Sequence, residues 1–262
     1  MRGTINAMRS IEDVCRVLTL VEKGLNDCEI SRETGIPRRT ILGWRHGRVP
    51  RFAMAYAAVS CPRCGHPRHD SHELPVPAYT YLLGLYLGDG FIAKHPRTYR
   101  LTIFMDRAYP LVVRECADAM GEVMPTSKVS VYHRPREQVE EVSSYSKAWP
   151  CLFPQHGPGR KHHRRIEMAV WQREIVQADP RPLLRGLIHS DGSRHFNTIR
   201  HPKKTYRYPR YEFTNKSEDI KRIFCCACDL LGIEWRVMNA KTISVAQRES
   251  VDKLDEFVGP KR

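Results

Sequence analysis

Asp89 and Asp191 are the two residues of this chain most able to do chemistry together. Each sits between a small residue and a glycine, Gly88-Asp89-Gly90 and Ser190-Asp191-Gly192, at the end of an apolar run. The runs read YLLGLYLGDGF at 81–91 and LLRGLIHSDGSR at 183–194. Gly84, Asp89 and Gly90 align with Gly186, Asp191 and Gly192 at one offset, 102 residues (191 − 89). A self-match at a fixed offset marks a repeated structural unit, here in two copies. An aspartate at the C-terminal end of a helix faces the negative end of the macrodipole, unfavourable by roughly 0.3–1 kcal/mol each. Two such carboxylates brought together also repel and raise a pKa. A divalent cation reverses both penalties, and oxygen ligands suit Mg²⁺. The backbone carbonyls of Gly88 and Ser190 are the expected additional ligands. The plainer alternative is two helix ends with solvated aspartates.

The aspartates must be positioned by the elements that end in them. Leu82, Leu83, Leu85, Tyr86 and Leu87 are apolar nearly all round, which predicts a buried helix, and Leu183, Leu184, Leu187 and Ile188 follow the same plan. Gly84 and Gly88 lie four apart, as do Gly186 and Ser190. Small residues at that spacing open a groove along one helix face. Two such faces can meet backbone to backbone, and parallel pairing carries both carboxylates to one place. Gly90 and Gly192 are expected in the left-handed conformation that follows many helix ends.

Both stretches resemble the LAGLIDADG motif of the homing endonuclease family. The first reads LLGLYLGDG and the second LRGLIHSDG. Both keep the glycine at the third position and the aspartate at the eighth, and both depart at the sixth, where Leu87 and His189 stand. The resemblance covers roughly residues 78–259. It implies a single-chain, two-repeat enzyme that cuts double-stranded DNA with Mg²⁺, and it gives Asp89 and Asp191 the metal-binding role. It also implies a basic residue from a strand near the site. Lys241 is the foremost candidate, with His189 and Lys216 behind it. The implied chemistry is metal-assisted phosphodiester hydrolysis.

Charge points the same way. The 262 residues carry 43 Lys plus Arg against 29 Asp plus Glu, a net charge of +14. Such a surplus suits a polyanion, nucleic acid first, although a ribosome-associated or membrane-surface protein would share it. No apolar run approaches the roughly 18 residues that cross a membrane. The N-terminal stretch MRGTINAMRSIEDV has no continuous apolar segment of the kind a signal peptide needs. Nine cysteines, an odd number, then read as reduced thiols, and the expected location is the cytoplasm.

Five segments are expected in order. Residues 1–50 form a helix-turn-helix unit. Val14, Val17, Leu18 and Val21 give helical spacing before Gly24; Ile30 and Thr34 precede Gly35; Pro37 opens a third, basic helix. That helix would enter the major groove, with Arg38, Arg39, Thr40, Arg45 and Arg48 as DNA contacts. Residues 51–78 form a connector, with a short helix expected over 51–60. Cys61 and Cys64 have zinc-knuckle spacing, and His69 and His72 could complete a structural Zn²⁺ site. His66 or Cys225, Cys226 and Cys228 are alternative ligands, and a loop of free thiols is the alternative to zinc. Residues 79–156 form the first repeat, 157–170 a basic linker and 171–262 the second repeat. Each repeat reads as helix, two strands, helix, two strands, helix. In the first, Thr98–Asp106 alternates Leu101, Ile103 and Met105 against Arg100, Thr102 and Phe104. The fold class is therefore α+β, a pseudo-twofold pair of αββαββα repeats forming an antiparallel β saddle, preceded by a small helical domain.

On the saddle, Arg100, Arg207 and Arg210, with Tyr208, are expected to meet phosphates or bases. Internal symmetry predicts a monomer. A second reading is a non-cleaving transcriptional regulator, because some regulators join a LAGLIDADG domain to a helix-turn-helix. An RNA-binding splicing cofactor is a third. An intein would start with Cys or Ser and end in His-Asn; Met1 and the closing Gly259–Arg262 point instead to a free-standing protein.

Overall fold

The computed structural model describes residues 11–46, 48, 74–135, 137–201, 204–259 and 261. The knuckle residues Cys61, Cys64, His69 and His72, the alternative ligand His66 and the helix expected over 51–60 lie outside the described residues. The chain divides into two compact units, Met1–Ser71 and His72–Arg262.

The first unit contains three helices, α1 (Ile11–Glu22), α2 (Asp27–Thr34) and α3 (Arg38–Arg45). Val14, Val17, Ile30, Ile36, Ile41 and Trp44 are buried together between them. Asn26 opens α2 with a reciprocal cap: its side chain accepts from the N–H groups of Cys28 and Glu29, and Glu29 accepts from the N–H of Asn26. Gly35 ends α2 at φ 68°, and three residues later α3 begins, giving a helix, a tight turn and a basic helix.

The second unit repeats one plan twice. The first repeat runs α4 (Val76–Asp89), β1 (Gly90–Lys94), β2 (Tyr99–Asp106), α5 (Pro110–Val123), β3 (Val129–His133), β4 (Val139–Tyr145) and α6 (Trp149–Leu152). After a connecting segment and α7 (Val170–Ala178), the second runs α8 (Arg181–Asp191), β5 (Gly192–His201), β6 (Lys204–Thr214), α9 (Glu218–Leu230), β7 (Arg236–Asn239), β8 (Thr242–Val245) and α10 (Arg248–Val258). Each repeat folds its strands into a four-stranded antiparallel sheet, in the orders β1-β2-β4-β3 and β5-β6-β8-β7. The two orders are the same permutation of the chain, as expected of an α+β pseudo-twofold saddle.

The core lies where the repeats meet. Every residue from Tyr79 to Leu87 is buried, as are Leu183, Leu184 and Gly186 through His189. The glycines let α4 and α8 touch backbone to backbone. A Cβ on Gly84 would lie 2.5 Å from the Leu183 carbonyl, and one on Gly186 would lie 2.2 Å from the Tyr81 carbonyl. Further along, a Cβ on Gly88 would lie 2.2 Å from Ser190 Oγ. Contacts therefore advance together along both helices, which pair in parallel.

Gly90 and Gly192 depart from the expectation of left-handed helix ends. Their φ values are −96° and −103°, extended backbone, and each begins a strand directly. Glycine is needed there for space: a Cβ would approach the Cα of Tyr86 or of Ile188 to 2.6 Å. The β5–β6 hairpin is long, its strands pairing continuously from Gly192↔Phe213 to His201↔Lys204.

Candidate metal centre

Because α4 and α8 run parallel and end in register, Asp89 and Asp191 emerge side by side. Both line one cavity of about 500 Å³, together with Gly88, Gly90, Lys161, Asn215, Lys216 and Lys241. Asp89 opens to solvent and Asp191 is half-buried. Burial and the neighbouring Asp89 charge push the Asp191 carboxyl up to about 6, against a hydrogen bond of 2.6 Å from Asn215 Nδ2. Asp89 is pushed up as well, by the surrounding protein; solvent at its carboxylate screens the effect. Two carboxylates thus share a site in which their joint ionisation is opposed, as their positions in the sequence require.

Two lysines answer that field. Lys161 Nζ donates to the carbonyls of Tyr86, Leu87 and Gly88, the last two at 3.1 Å, and so caps the C-terminal end of α4. Lys261 Nζ donates to the carbonyls of Ser190 and Gly192, each at 3.1 Å, and caps α8. Burial lowers the Lys161 pKa to about 8 while Asp89 and Asp191 hold it up, and Lys261 is lowered in the same way. The two lysines follow the last helix of their respective repeats, 100 residues apart (261 − 161), close to the offset of the aspartates. They are pseudo-symmetry mates in function as well as in position.

The residues fit a small divalent cation with oxygen ligands. Two carboxylates of like charge and two helix ends rich in carbonyl oxygen converge on a solvent-open cavity. Among the described residues no cluster of three His, Cys, Asp or Glu side chains offers a competing site. The carbonyls of Gly88 and Ser190 already accept from Lys161 and Lys261, so the carboxylates, with one Asp191 oxygen also accepting from Asn215, are the principal ligand groups left.

The sequence-predicted residues divide on inspection. Asp89, Asp191, Gly88, Lys216 and Lys241 line the cavity, whereas the Ser190 hydroxyl turns back to the carbonyls of Gly186 (3.1 Å) and Leu187 (3.0 Å). His189 stands away from the cavity. It is buried in the interface, bonded through Nδ1 to Tyr81 Oη (2.9 Å) and through Nε2 to the Val258 carbonyl (2.9 Å). In the first unit Arg38, Arg39 and Arg48 are exposed and Thr40 is half-buried. Arg45 is tied down instead, to the Leu25 carbonyl (2.7 Å) and to Asp27 (2.8 Å). Arg100 is held by Glu141 and by Ser143 Oγ (3.0 Å). Arg207 lies over the Phe196 ring, 4.6 Å from its centroid, and Arg210 is 3.9 Å from Glu212. Arg207 shares the strand parity of buried Tyr211 and Phe213, and Arg210 the opposite parity, so the two arginines face different sides of β6.

Sequence reasoning missed Lys161, Lys261 and Asn215. The near-repeat of the lysines at the motif offset was the available signal. The basic linker holding Lys161 is also tied to the fold. Arg164 donates to the Gln155 carbonyl, Ile166 N–H donates to Asp219 (2.9 Å), and Ile166 is buried.

No family model matches the chain, and no curated protein matches it in sequence. Solved structures do resemble it. The I-DmoI structure in complex with DNA and Mn matches at 16% identity over 71% of this chain and 98% of that one, with a TM-score of 0.48. The N-terminal LAGLIDADG domain of DUF199/WhiA matches at 14% identity over 71% of this chain and 84% of that one, TM-score 0.45. The LAGLIDADG meganuclease I-AabMI, bound to uncleaved DNA, matches at 10% identity over 68% of this chain and 82% of that one, TM-score 0.44. The solved structures to which this chain is similar include LAGLIDADG homing endonucleases and the LAGLIDADG domain of WhiA.

Proposed function

We propose that this chain is a DNA-binding protein of the LAGLIDADG type that hydrolyses both strands of a duplex with the help of Mg²⁺. The single observation that carries this reading is the convergence of Asp89 and Asp191 on one cavity, at positions that cost stability without a cation. Asp89 and Asp191 would hold the metal, which when bound supplies Lewis acidity toward the scissile phosphates and a more acidic water. The rest falls to the chain. Asn215 fixes the Asp191 carboxylate through its amide. Lys161 and Lys261 neutralise the helix ends and offer positive charge beside the reacting phosphates. Lys241 and Lys216, which line the cavity, would meet phosphate oxygens. The three-helix unit would add a second DNA contact through Arg38 and Arg39, and the zinc knuckle at Cys61, Cys64, His69 and His72 would be structural.

One observation favours a second reading, a non-cleaving DNA-binding regulator. The lysines already occupy the carbonyls of Gly88 and Ser190 and so partly replace a cation. Incubation of the purified protein with a randomised duplex library, with and without Mg²⁺, separates the two. Metal-dependent double-strand cuts that Asp89→Asn abolishes support the nuclease. Specific capture of duplexes with no cuts supports the regulator, and no enrichment of any duplex refutes both.

A further inference from the structure

The two sheets are built to one plan, yet their outward faces are unlike. In the second repeat only Tyr211–Thr214 of β6 pairs with β8, so Lys204–Arg210 and its partners His195–His201 in β5 project as a free two-stranded ribbon. At about 3.4 Å per residue, seven residues of ribbon reach roughly 20–24 Å, or some six to seven base pairs. A two-stranded ribbon fits the major groove. The outward parity of this ribbon presents His195, Asn197, Tyr208 and Arg210. Tyr208 is 48% exposed, and the carboxylate of Glu212 is 3.5 Å from His195 and 3.9 Å from Arg210. These are loose contacts, and the side chains include donors and acceptors suited to base edges.

The first repeat has no counterpart. Its β2 pairs with β4 along Arg100–Asp106, nearly the whole strand, so its hairpin ends with the sheet. On its outward face the charged groups are paired with one another, while the rings of Phe91, Tyr132 and Tyr145 stay 42%, 56% and 47% exposed. Glu141 is buried between Arg100 and Arg134, the latter at 3.3 Å, and Arg134 also lies over the Phe104 ring. Phe104 stacks on Phe91, and Arg100 lies over Tyr145. The cations of this face are already neutralised, and rings cover its polar floor of Thr102 and Ser143, both buried.

We infer that duplex DNA is read one-sidedly: the β5–β6 ribbon of the second repeat makes the base contacts, and the sheet of the first repeat supports the backbone without reading sequence. This rests on the proposal that the chain binds duplex DNA. Asn197, Tyr208 and Arg210 are then specificity-determining residues on one half of the target.

Selection of bound duplexes from a randomised pool with the full chain tests the inference, run beside three variants. The expected wild-type motif has one contiguous block of about six to seven specified base pairs attributable to the ribbon. Asn197→Ala combined with Arg210→Ala should flatten that block, with at least tenfold loss of preference at the affected positions. Tyr132→Ala combined with Tyr145→Ala, on the outward face of the first sheet, should leave the motif unchanged. Arg38→Ala combined with Arg39→Ala identifies any positions read by the three-helix unit. A second specified block that is removed by the Tyr132 and Tyr145 substitutions, or that survives both other variants, overturns one-sided reading while leaving DNA binding intact. Failure to enrich any duplex with the wild-type protein removes the DNA-binding proposal itself.

Discussion

Replacing Asp191 by asparagine should make the protein more stable at neutral pH. The substitution is nearly isosteric and keeps an oxygen that can accept from Asn215 Nδ2. It deletes a charge that both burial and Asp89 oppose, as the rise of its pKa to about 6 records. Raising a carboxyl by about two pK units costs on the order of 3 kcal/mol at neutral pH when fully expressed. Solvent at the half-buried site screens part of this, and Lys161 and Lys261 lose one of two counter-charges. A net gain of about 1–1.5 kcal/mol remains, or several degrees in Tm for a chain of this size. The sign follows from linkage. The folded pKa lies above the unfolded one, so the protonated form favours folding. The wild type therefore loses this stability as pH rises through about 6. Thermal denaturation of wild type and Asp191→Asn from pH 4 to pH 8, without divalent metal, measures it. The variant's advantage should be largest above pH 7 and shrink steadily as pH falls toward 4, where the folded wild-type carboxyl is protonated and the unfolded one about half so. Comparing the two proteins at each pH removes contributions common to both, including that of His189. A variant less stable than wild type at pH 7 would refute the idea that the aspartates are held at a cost.

Other expectations are simpler. Gly186→Ala places a methyl 2.2 Å from the Tyr81 carbonyl, backbone against backbone, and should lower stability by about 3 kcal/mol in urea denaturation. His189 is buried and its pKa is lowered to about 4, chiefly by burial. Its contribution is present above about pH 6.5 and lost as pH falls toward 4, so His189→Gln should flatten the acid limb of the stability profile. Lys161→Met should slow metal-dependent cleavage at least a hundredfold in single-turnover assays while duplex affinity changes less than threefold. Asn26→Ala removes the two hydrogen bonds that the Asn26 side chain accepts at the start of α2, leaves the backbone N–H to Glu29, and should destabilise the three-helix unit by about 1 kcal/mol, read by amide hydrogen exchange of Cys28 and Glu29.

The core of the fold was legible because it is local and repeated. The apolar runs at 82–87 and 183–188 can only be buried, and the spacing of Gly84 with Gly88 and of Gly186 with Ser190 states how the helices touch. The alternation Leu101, Ile103, Met105 states which face of β2 is inward, and the structure buries those three. What could not be read depends on long-range contacts. Lys161 sits in RKHH, which resembles any solvated basic linker; only the fold brings it 75 residues back to Tyr86. Lys261 and Asn215 reach the site through irregular segments with no period to betray them. Arg45 looks in sequence like its neighbours Arg38 and Arg39, and its engagement depends on partners 20 and 18 residues away, Leu25 and Asp27. Gly90 and Gly192 were identified as special for the wrong reason, since left-handed turns and close backbone approach both demand glycine.

A Mn²⁺ titration followed by electron paramagnetic resonance tests most directly the proposal that Asp89 and Asp191 hold one cation. Free Mn²⁺ gives the sharp signal, so bound ion appears as lost intensity. Wild-type protein should take up Mn²⁺, and Asp89→Asn and Asp191→Asn should each weaken that uptake by at least tenfold, with the double variant scarcely weaker than either single one. Uptake unchanged in both single variants, or two independent losses that add, would contradict a shared site.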